Sequence, residues 1–174
     1  MHYFVTGATG FIGRRLVQAL LARRGSTVHV LVRPGSADKL AALRRSWGVS
    51  PARVQPVVGD LGRKKLGVPA ATVRALKGRI DKVYHLAGLY DLSADAASLE
   101  RANVEGTRNL VAFAQAIGAG HLHHVSSIAV AGLYPGVFHE DMFDEAVGLD
   151  HPYFRTKHAG ERIVRGSRLP WTVY

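Results

Sequence analysis

Thr6-Gly7-Ala8-Thr9-Gly10-Phe11-Ile12-Gly13 is the stretch of sequence that decides the fold. It follows a short apolar run at 2–6, which is typical of a buried strand, and it opens a segment with apolar residues at helical spacing, 11–24. Glycines at this junction allow a tight turn, and the free N–H groups of a helix N-terminus favour an anion. The stretch therefore predicts a phosphate-binding turn between a first strand and a first helix.

The three glycines are spaced Gly-x-x-Gly-x-x-Gly, one residue longer than the common dinucleotide-binding spacing Gly-x-Gly-x-x-Gly. The prediction therefore depends more on the position of the motif between strand and helix than on its match to the common spacing. A glycine-rich turn without a ligand is the alternative interpretation. We favour a ligand, because three glycines weaken a fold unless something approaches them closely.

Strand-like and helix-like segments alternate along all 174 residues, a pattern typical of repeated βαβ units. We expect one α/β domain over 1–174, a doubly wound parallel sheet of the Rossmann type. Strands are predicted near 2–6, 27–32, 53–58, 81–87, 121–126 and 170–174. The clearest helices are predicted at 11–24, 95–118 and 151–166. Segment 127–150, rich in glycine, proline and acidic residues, should be a long loop near the site.

The composition is strongly basic, with 23 Lys and Arg against 13 Asp and Glu and a formal net charge of +10. This balance indicates an anionic partner or an acidic remainder elsewhere in the protein. The basic residues are dispersed, the longest run being Arg63-Lys64-Lys65, so nucleic acid is not the predicted partner. The sequence has no cysteine, no apolar run near the ~20 residues of a membrane span and no targeting segment, which predicts a cytoplasmic protein without an integral membrane segment.

Arg33 decides which dinucleotide is expected. It ends the second predicted strand, where an acidic residue would bind a ribose 2′-hydroxyl. An arginine there favours stacking on adenine and binding of a 2′-phosphate, so the predicted cofactor is NADP(H). Lys39 is a candidate second cation, although a solvated helix residue would look the same. Asp60-Leu61, just after the third predicted strand, is a candidate contact for adenine or an ordinary turn.

Tyr153 and Lys157 lie one helical turn apart on the last predicted helix and so share a face. The ammonium would favour the phenolate form of the tyrosine, which makes the phenol useful as an acid or base near neutral pH. Ser127 follows the fifth predicted strand, at the end where open α/β sheets bind ligands. We therefore predict that Ser127 binds a carbonyl oxygen, Tyr153 transfers a proton and Lys157 holds a cofactor ribose. A serine here also commonly caps a helix, the interpretation that we prefer for Ser126.

No metal site is predicted. His121 and His123 share one face of the fifth predicted strand, but no third ligand lies at a suitable spacing. The acidic residues of 140–145 lack the ligand pattern of a calcium loop, and we interpret them as a solvated loop. Tyr90 and Tyr134 are candidates for lining a substrate pocket, although core packing explains them equally well.

Six motifs occur in the order typical of one family and cover nearly the whole chain. They are the glycine turn, Asp60-Leu61, His85-Leu86-Ala87-Gly88, Asn103-Val104-Glu105-Gly106-Thr107, Val125-Ser126-Ser127 and Tyr153-Phe154-Arg155-Thr156-Lys157. As a set they resemble the extended short-chain dehydrogenase/reductase family. The resemblance implies that Ala87 and Gly88 line the cofactor near its nicotinamide, and that Asn103 stabilises the active-site strand and helix. The cofactor-binding set also contains the turn residues Gly7, Thr9, Gly10, Phe11, Ile12 and Gly13.

A narrower resemblance is to the amino-terminal module of long bacterial fatty acyl-CoA and fatty aldehyde reductases. It rests on the sequence at 123–129, 132–138, 140–143 and 149–153. It implies a long-chain acyl thioester, such as an acyl-CoA, or an aldehyde as substrate, NADPH as reductant and a further module in the parent chain. It also implies that the substrate-covering carboxy-terminal part is missing here, so we interpret the sequence as a fragment.

Two other functions fit the same residues. Nucleotide-sugar epimerases or dehydratases and hydroxysteroid-type dehydrogenases use serine, tyrosine and lysine in the same roles. A dinucleotide-sensing regulatory module is the non-enzymatic alternative, for which a complete set of Ser127, Tyr153 and Lys157 is unexpected.

Overall fold

The computed structural model describes residues 1–174, apart from the side chain of Ala37. These residues form strands β1 (His2–Thr6), β2 (Thr27–Val32), β3 (Val54–Val58), β4 (Lys82–His85), β5 (His121–His124) and β6 (Trp171–Val173). The α-helices are α1 (Phe11–Ala22), α2 (Ala37–Ser46), α3 (Ala70–Leu76), α4 (Ala96–Leu99), α5 (Gly106–Ala116) and α6 (Pro152–Arg165). A π-helical segment, Glu100–Glu105, joins α4 to α5.

The strands form one parallel sheet in the order β3-β2-β1-β4-β5-β6, which confirms the predicted doubly wound Rossmann fold. The order reverses beside β1, whose neighbours are β2 on one side and β4 on the other. In open α/β sheets the ligand crevice opens at the carboxyl ends of the strands beside such a reversal. The topology therefore places a binding site just after Thr6 and His85, the last residues of β1 and β4.

Apolar side chains cover both faces of the sheet, which explains why strands such as β1 and β2 are rich in apolar residues. Phe4 packs on one face, in a core shared with α5 and α6. Its neighbours Tyr3 and Val5 point to the other face and pack with α1 and α2. Helices on both faces fix the strand ends, and so fix the loops that carry the site.

Three predicted elements differ in detail from the structure. The predicted helix 95–118 is divided by the π-helical Glu100–Glu105, which has the same polarity pattern as ordinary helix. The fourth and fifth strands end at His85 and His124, two residues earlier than predicted, because the chain leaves the sheet there to form loops. Segment 127–150 is irregular as predicted, apart from a 3-10 turn at Ile128–Ala131 and a bridge between Gly132 and Val147. Among the described residues, every helix lacks the length or the apolarity needed to cross a membrane.

Candidate active site

An open cavity of about 650 Å³ lies at the carboxyl ends of β1, β2, β3 and β4, where the topology places a ligand. Seven of the residues predicted to bind the cofactor line it: Gly7, Thr9, Arg33, Asp60, Leu61, Ala87 and Gly88. They come from four loops that are far apart in the sequence, and the parallel sheet brings these loops to one edge. The structure therefore brings half of the predicted cofactor residues to one cavity.

The glycine turn packs against the protein's own backbone. Gly7 has a φ of +71°, and a Cβ atom there would lie 2.7 Å from the backbone nitrogen of Ala87. A Cβ atom on Gly13 would lie 2.0 Å from the carbonyl oxygen of Gly7. The backbone N–H of Gly10 donates to the same carbonyl oxygen at 3.0 Å. The close contacts that these glycines permit are therefore contacts with the protein's own backbone. They allow the turn to pack against the loop after β4.

Other predicted cofactor residues lie outside the cavity wall. Phe11 and Ile12 are exposed at the start of α1, and Lys39 is exposed on α2. Three further residues contact residues of the wall without lining the cavity. Gly10 and Gly13 contact the Gly7 carbonyl oxygen, and Asn103 is hydrogen-bonded to Leu89. Sequence reasoning missed three polar wall residues, Ser36, Ser98 and Arg101. The side chains of Arg101 and Ser98 hydrogen-bond each other at 3.1 Å.

Asn103 is buried and connects the loop after β4 to helix α6. Its side-chain oxygen accepts from the Leu89 N–H at 2.8 Å, and its amide nitrogen donates to the Leu89 carbonyl oxygen at 3.2 Å. The same nitrogen donates to Thr156 Oγ1 at 3.3 Å. Leu89 also lines the cavity. This geometry agrees with the bracing role that the family resemblance implies for Asn103.

Two buried histidines form the floor behind the site. His85 is hydrogen-bonded through its two ring nitrogens to Thr6 Oγ1, at 2.8 Å, and to Thr107 Oγ1, at 3.1 Å. Burial, together with the nearby His124 and Lys157, lowers the pKa of His85 well below its usual range. Burial also lowers the pKa of His124 to about 3, with a smaller contribution from Lys157. Both rings are therefore neutral near neutral pH.

Ser127 and Tyr153 meet on the side of the site formed by β5 and α6. The Tyr153 hydroxyl donates to Ser127 Oγ at 3.5 Å, although 26 residues separate them in the chain. Ser127 also caps the following 3-10 turn, because its Oγ accepts from the Ala129 N–H at 3.2 Å. The preference for Ser126 as the capping serine is wrong: its hydroxyl instead donates to Glu161.

Lys157 lies one turn after Tyr153 on α6, and its Nζ donates to the Val125 carbonyl oxygen at 3.4 Å. Burial lowers the pKa of Lys157, while the carboxylate of Glu161 raises it. The ring of Tyr90 packs edge-on against the Tyr153 ring, with 5.4 Å between the centroids. Tyr90 is nevertheless mostly exposed, so the surface beside the Tyr153 ring is open to solvent. Tyr134 packs instead against Phe138.

The rings of His121 and His123 on β5 pack against each other in a tilted arrangement. The rings of His121 and His123 lie on one face of the strand, 4.5 Å apart, as strand alternation predicts. His121 is hydrogen-bonded to Thr172, and His123 to the Tyr174 hydroxyl. Within the part of the chain that the structure describes, no three histidine or acidic side chains are grouped in a way that could hold a metal ion.

Comparison with known proteins adds to this geometry. The sequence profile of the Male sterility protein family, a family of NAD-binding domains, matches residues 5–174. The isonitrile lipopeptide synthase of Streptomyces coeruleorubidus is 32% identical over 185 residues, which cover 98% of this chain and 12% of that protein. The L-2-aminoadipate reductase large subunit of Penicillium chrysogenum is 30% identical over 187 residues, which cover 93% of this chain and 13% of that protein.

A solved structure has a closely similar fold. The terminal R domain from the myxalamid PKS-NRPS biosynthetic pathway superposes with a TM-score of 0.84 at 28% sequence identity. The superposition covers 99% of this chain and 47% of that one. The chain thus spans less than half the length of each of these three proteins.

Proposed function

Because the chain belongs to the Male sterility protein family, within the extended short-chain dehydrogenase/reductases, we propose that it is an NADPH-dependent carbonyl reductase. One observation carries the proposal. The Tyr153 hydroxyl donates to Ser127 Oγ, and Lys157 follows one turn along the same helix. These are the three side chains required for proton transfer to a carbonyl oxygen. Leu89 links them to the cavity, because it lines the cavity and packs in the same apolar cluster as Tyr153.

The cavity fits a dinucleotide on two grounds. The glycine turn lies at the cavity and at the start of α1, where free N–H groups favour a phosphate. Its outer end carries the cation Arg33, beyond β2. We assign Gly7 and Thr9 to the phosphates, Arg33 to a 2′-phosphate, and the remaining wall to the adenine and nicotinamide ends: Asp60, Leu61, Ala87 and Gly88. When bound, reduced nicotinamide supplies the hydride.

The hydrogen bonds of Ser127 explain how it would orient a substrate. A serine hydroxyl has two acceptor sites and one donor proton. The Ala129 N–H and the Tyr153 hydroxyl use the acceptor sites, which leaves the proton of Ser127 for a carbonyl oxygen. When a carbonyl is bound, the Tyr153 hydroxyl would turn from Ser127 Oγ to the carbonyl oxygen and give it its proton as the carbonyl carbon is reduced. The ammonium of Lys157 would stabilise the phenolate left behind.

The proposed substrate is a long-chain acyl thioester, such as an acyl-CoA, or the corresponding aldehyde. The narrower family resemblance of 123–153 supports this class. The segment after Ser127 also carries exposed apolar residues, namely Ile128, Leu133 and Val137, with exposed fractions of 91%, 71% and 71%. They would favour the binding of an alkyl chain, because burial of an apolar chain away from water lowers its free energy.

The experiment that tests the proposal is a substrate panel with the full natural chain. We expect NADPH to be oxidised when a long-chain acyl-CoA or aldehyde is added, followed by the absorbance of the reduced nicotinamide. Turnover with only a sterol or only a nucleotide sugar would overturn the substrate class. Tight NADPH binding without turnover of any substrate would favour the regulatory alternative.

A second experiment tests the cofactor. Arg33→Asp should lower kcat/KM for NADPH relative to NADH by about 10- to 100-fold, because a hydrogen bond to a charged group contributes about 1.5–3 kcal/mol. Arg24→Asp is the matched control, since it makes the same charge change before β2, at the opposite edge of the sheet from the cavity. An unaltered preference in Arg33→Asp would remove Arg33 from the cofactor site.

A further inference from the structure

Glu161 is a buried carboxylate that the proposed reaction does not use. Its residue is 2% exposed, and it lies on α6 one turn after Lys157. A buried carboxylate is costly unless charged or polar partners compensate it. Arg165 Nε donates to Glu161 Oε1 at 2.7 Å, and the Ser126 hydroxyl donates to Oε2. Glu161 therefore joins helix α6 to the segment that follows β5.

That segment also carries Ser127, one of the three proposed catalytic residues. Ser127 follows Ser126 directly, in extended backbone, whereas Tyr153 stands on α6. Two contacts join these elements next to the pair: Ser126 to Glu161, and Lys157 Nζ to the Val125 carbonyl oxygen. The backbone N–H groups of Val125 and Ser126 also fix this segment, through the carbonyl oxygens of His85 and Tyr174 on the sheet side. If Ser126 were released, the remaining link from the segment just before Ser127 to α6 would be the 3.4 Å contact of Lys157.

We propose that Glu161 is a positioning residue for the active site, which holds Ser127 opposite Tyr153 through Ser126 and places a negative charge one helical turn from the ammonium of Lys157. This inference deepens the proposed reductase function and rests on it. The carboxylate would not touch substrate or cofactor. It would act through its neighbours on β5 and α6.

The charge of Glu161 has a separate consequence for Lys157. Burial lowers the pKa of Lys157, and the Glu161 carboxylate opposes that effect. The titratable groups that face Lys157 from the sheet are His85 on β4 and His124 on β5, and both are neutral near neutral pH because burial lowers their pKa values. Removing the negative charge should therefore lower the pKa of Lys157, so that it loses its proton at a lower pH.

Glu161→Gln tests the charge and the position together. We expect kcat to fall by about ten-fold or more, because small misplacements of catalytic groups are costly. The alkaline limb of the pH profile of kcat should move to lower pH by about one unit, the size expected for losing a nearby opposite charge. Ser126→Ala removes the connection but keeps the charge. It should lower kcat without moving the alkaline limb.

A readout that needs no turnover separates this inference from the proposed function. The titration of Lys157 can be followed by NMR in protein labelled with carbon-13 lysine, with the resonance assigned through Lys157→Arg. The midpoint should fall in Glu161→Gln and stay unchanged in Ser126→Ala. Equal midpoints in Glu161→Gln and the wild type would overturn the electrostatic role, even if no substrate of the enzyme were known.

Glu105→Gln is the matched control, because Glu105 also pairs with an arginine close along the helix but at the surface. It should change neither kcat nor the Lys157 midpoint. Thermal unfolding of each variant shows whether it is folded, and Ser126→Ala keeps the test available if Glu161→Gln is not. A kcat in Ser126→Ala equal to that of Glu105→Gln would overturn the positioning role.

Discussion

Replacing Tyr153 by phenylalanine is expected to lower kcat by about 10²- to 10⁴-fold, the contribution typical of a positioned general acid. The substitution removes the hydroxyl that donates to Ser127 and keeps the ring, which is buried and packs against Tyr90. The cavity walls for the cofactor do not include Tyr153, so the affinity for NADPH should be preserved. Steady-state turnover and a fluorescence titration with NADPH measure the two effects.

Tyr3→Phe is the matched control for this experiment. Tyr3 is fully buried on the opposite face of the sheet, and its hydroxyl has no hydrogen-bond partner among the described residues. Its removal should leave turnover unchanged and should not destabilise the fold, because no bond is lost. Similar turnover in Tyr153→Phe and Tyr3→Phe would contradict a proton-transfer role for Tyr153.

Most of the fold could be predicted because the strands are buried on both faces. Such strands must be apolar at successive positions, as in the run from Val28 to Val32, so the sequence marks them without reference to distant parts of the chain. The parallel sheet then brings the ends of these strands together. That is why Gly7, Arg33, Asp60 and Ala87, although distant in sequence, line one cavity.

The remaining features depend on tertiary packing. A glutamate one turn after a lysine is a common exposed helix pair, so nothing local indicates that Glu161 is buried and bonded to Ser126. Arg101 reaches the cavity because α4 and the π-helical segment lie over it, and no motif marks that placement. The interruption of the predicted helix 95–118 has the same origin, since its sequence keeps helical periodicity throughout.

The structure gives a second reason for the glycines of the turn. We expected a ligand to explain why three glycines are needed, yet backbone atoms already occupy the space beside Gly7 and Gly13. These two glycines are required for the turn to pack, with or without a cofactor. The argument for phosphate binding therefore rests on where the turn lies, at the cavity and at the start of α1.

Gly13→Ala should consequently harm stability as well as binding. The new methyl group would lie 2.0 Å from the Gly7 carbonyl oxygen and 2.7 Å from Ala8 Cα, and neither backbone atom can move without displacing the turn. We expect the free energy of unfolding to fall by about 3 kcal/mol, the upper part of the usual range for overpacking. Urea denaturation measures this loss.

NADPH binding should weaken at the same time. Gly13 packs against Gly7, and Gly7 and Thr9 of the same turn line the cavity, so a shift of the turn would change the shape of the cavity wall. Gly35→Ala is the matched control: a Cβ there meets no atom within 4 Å, and its backbone is not left-handed. Equal stability of the two variants would mean that the turn adjusts freely. Equal NADPH affinity, with Gly13→Ala shown to be folded, would mean that the cofactor does not depend on the shape of the turn.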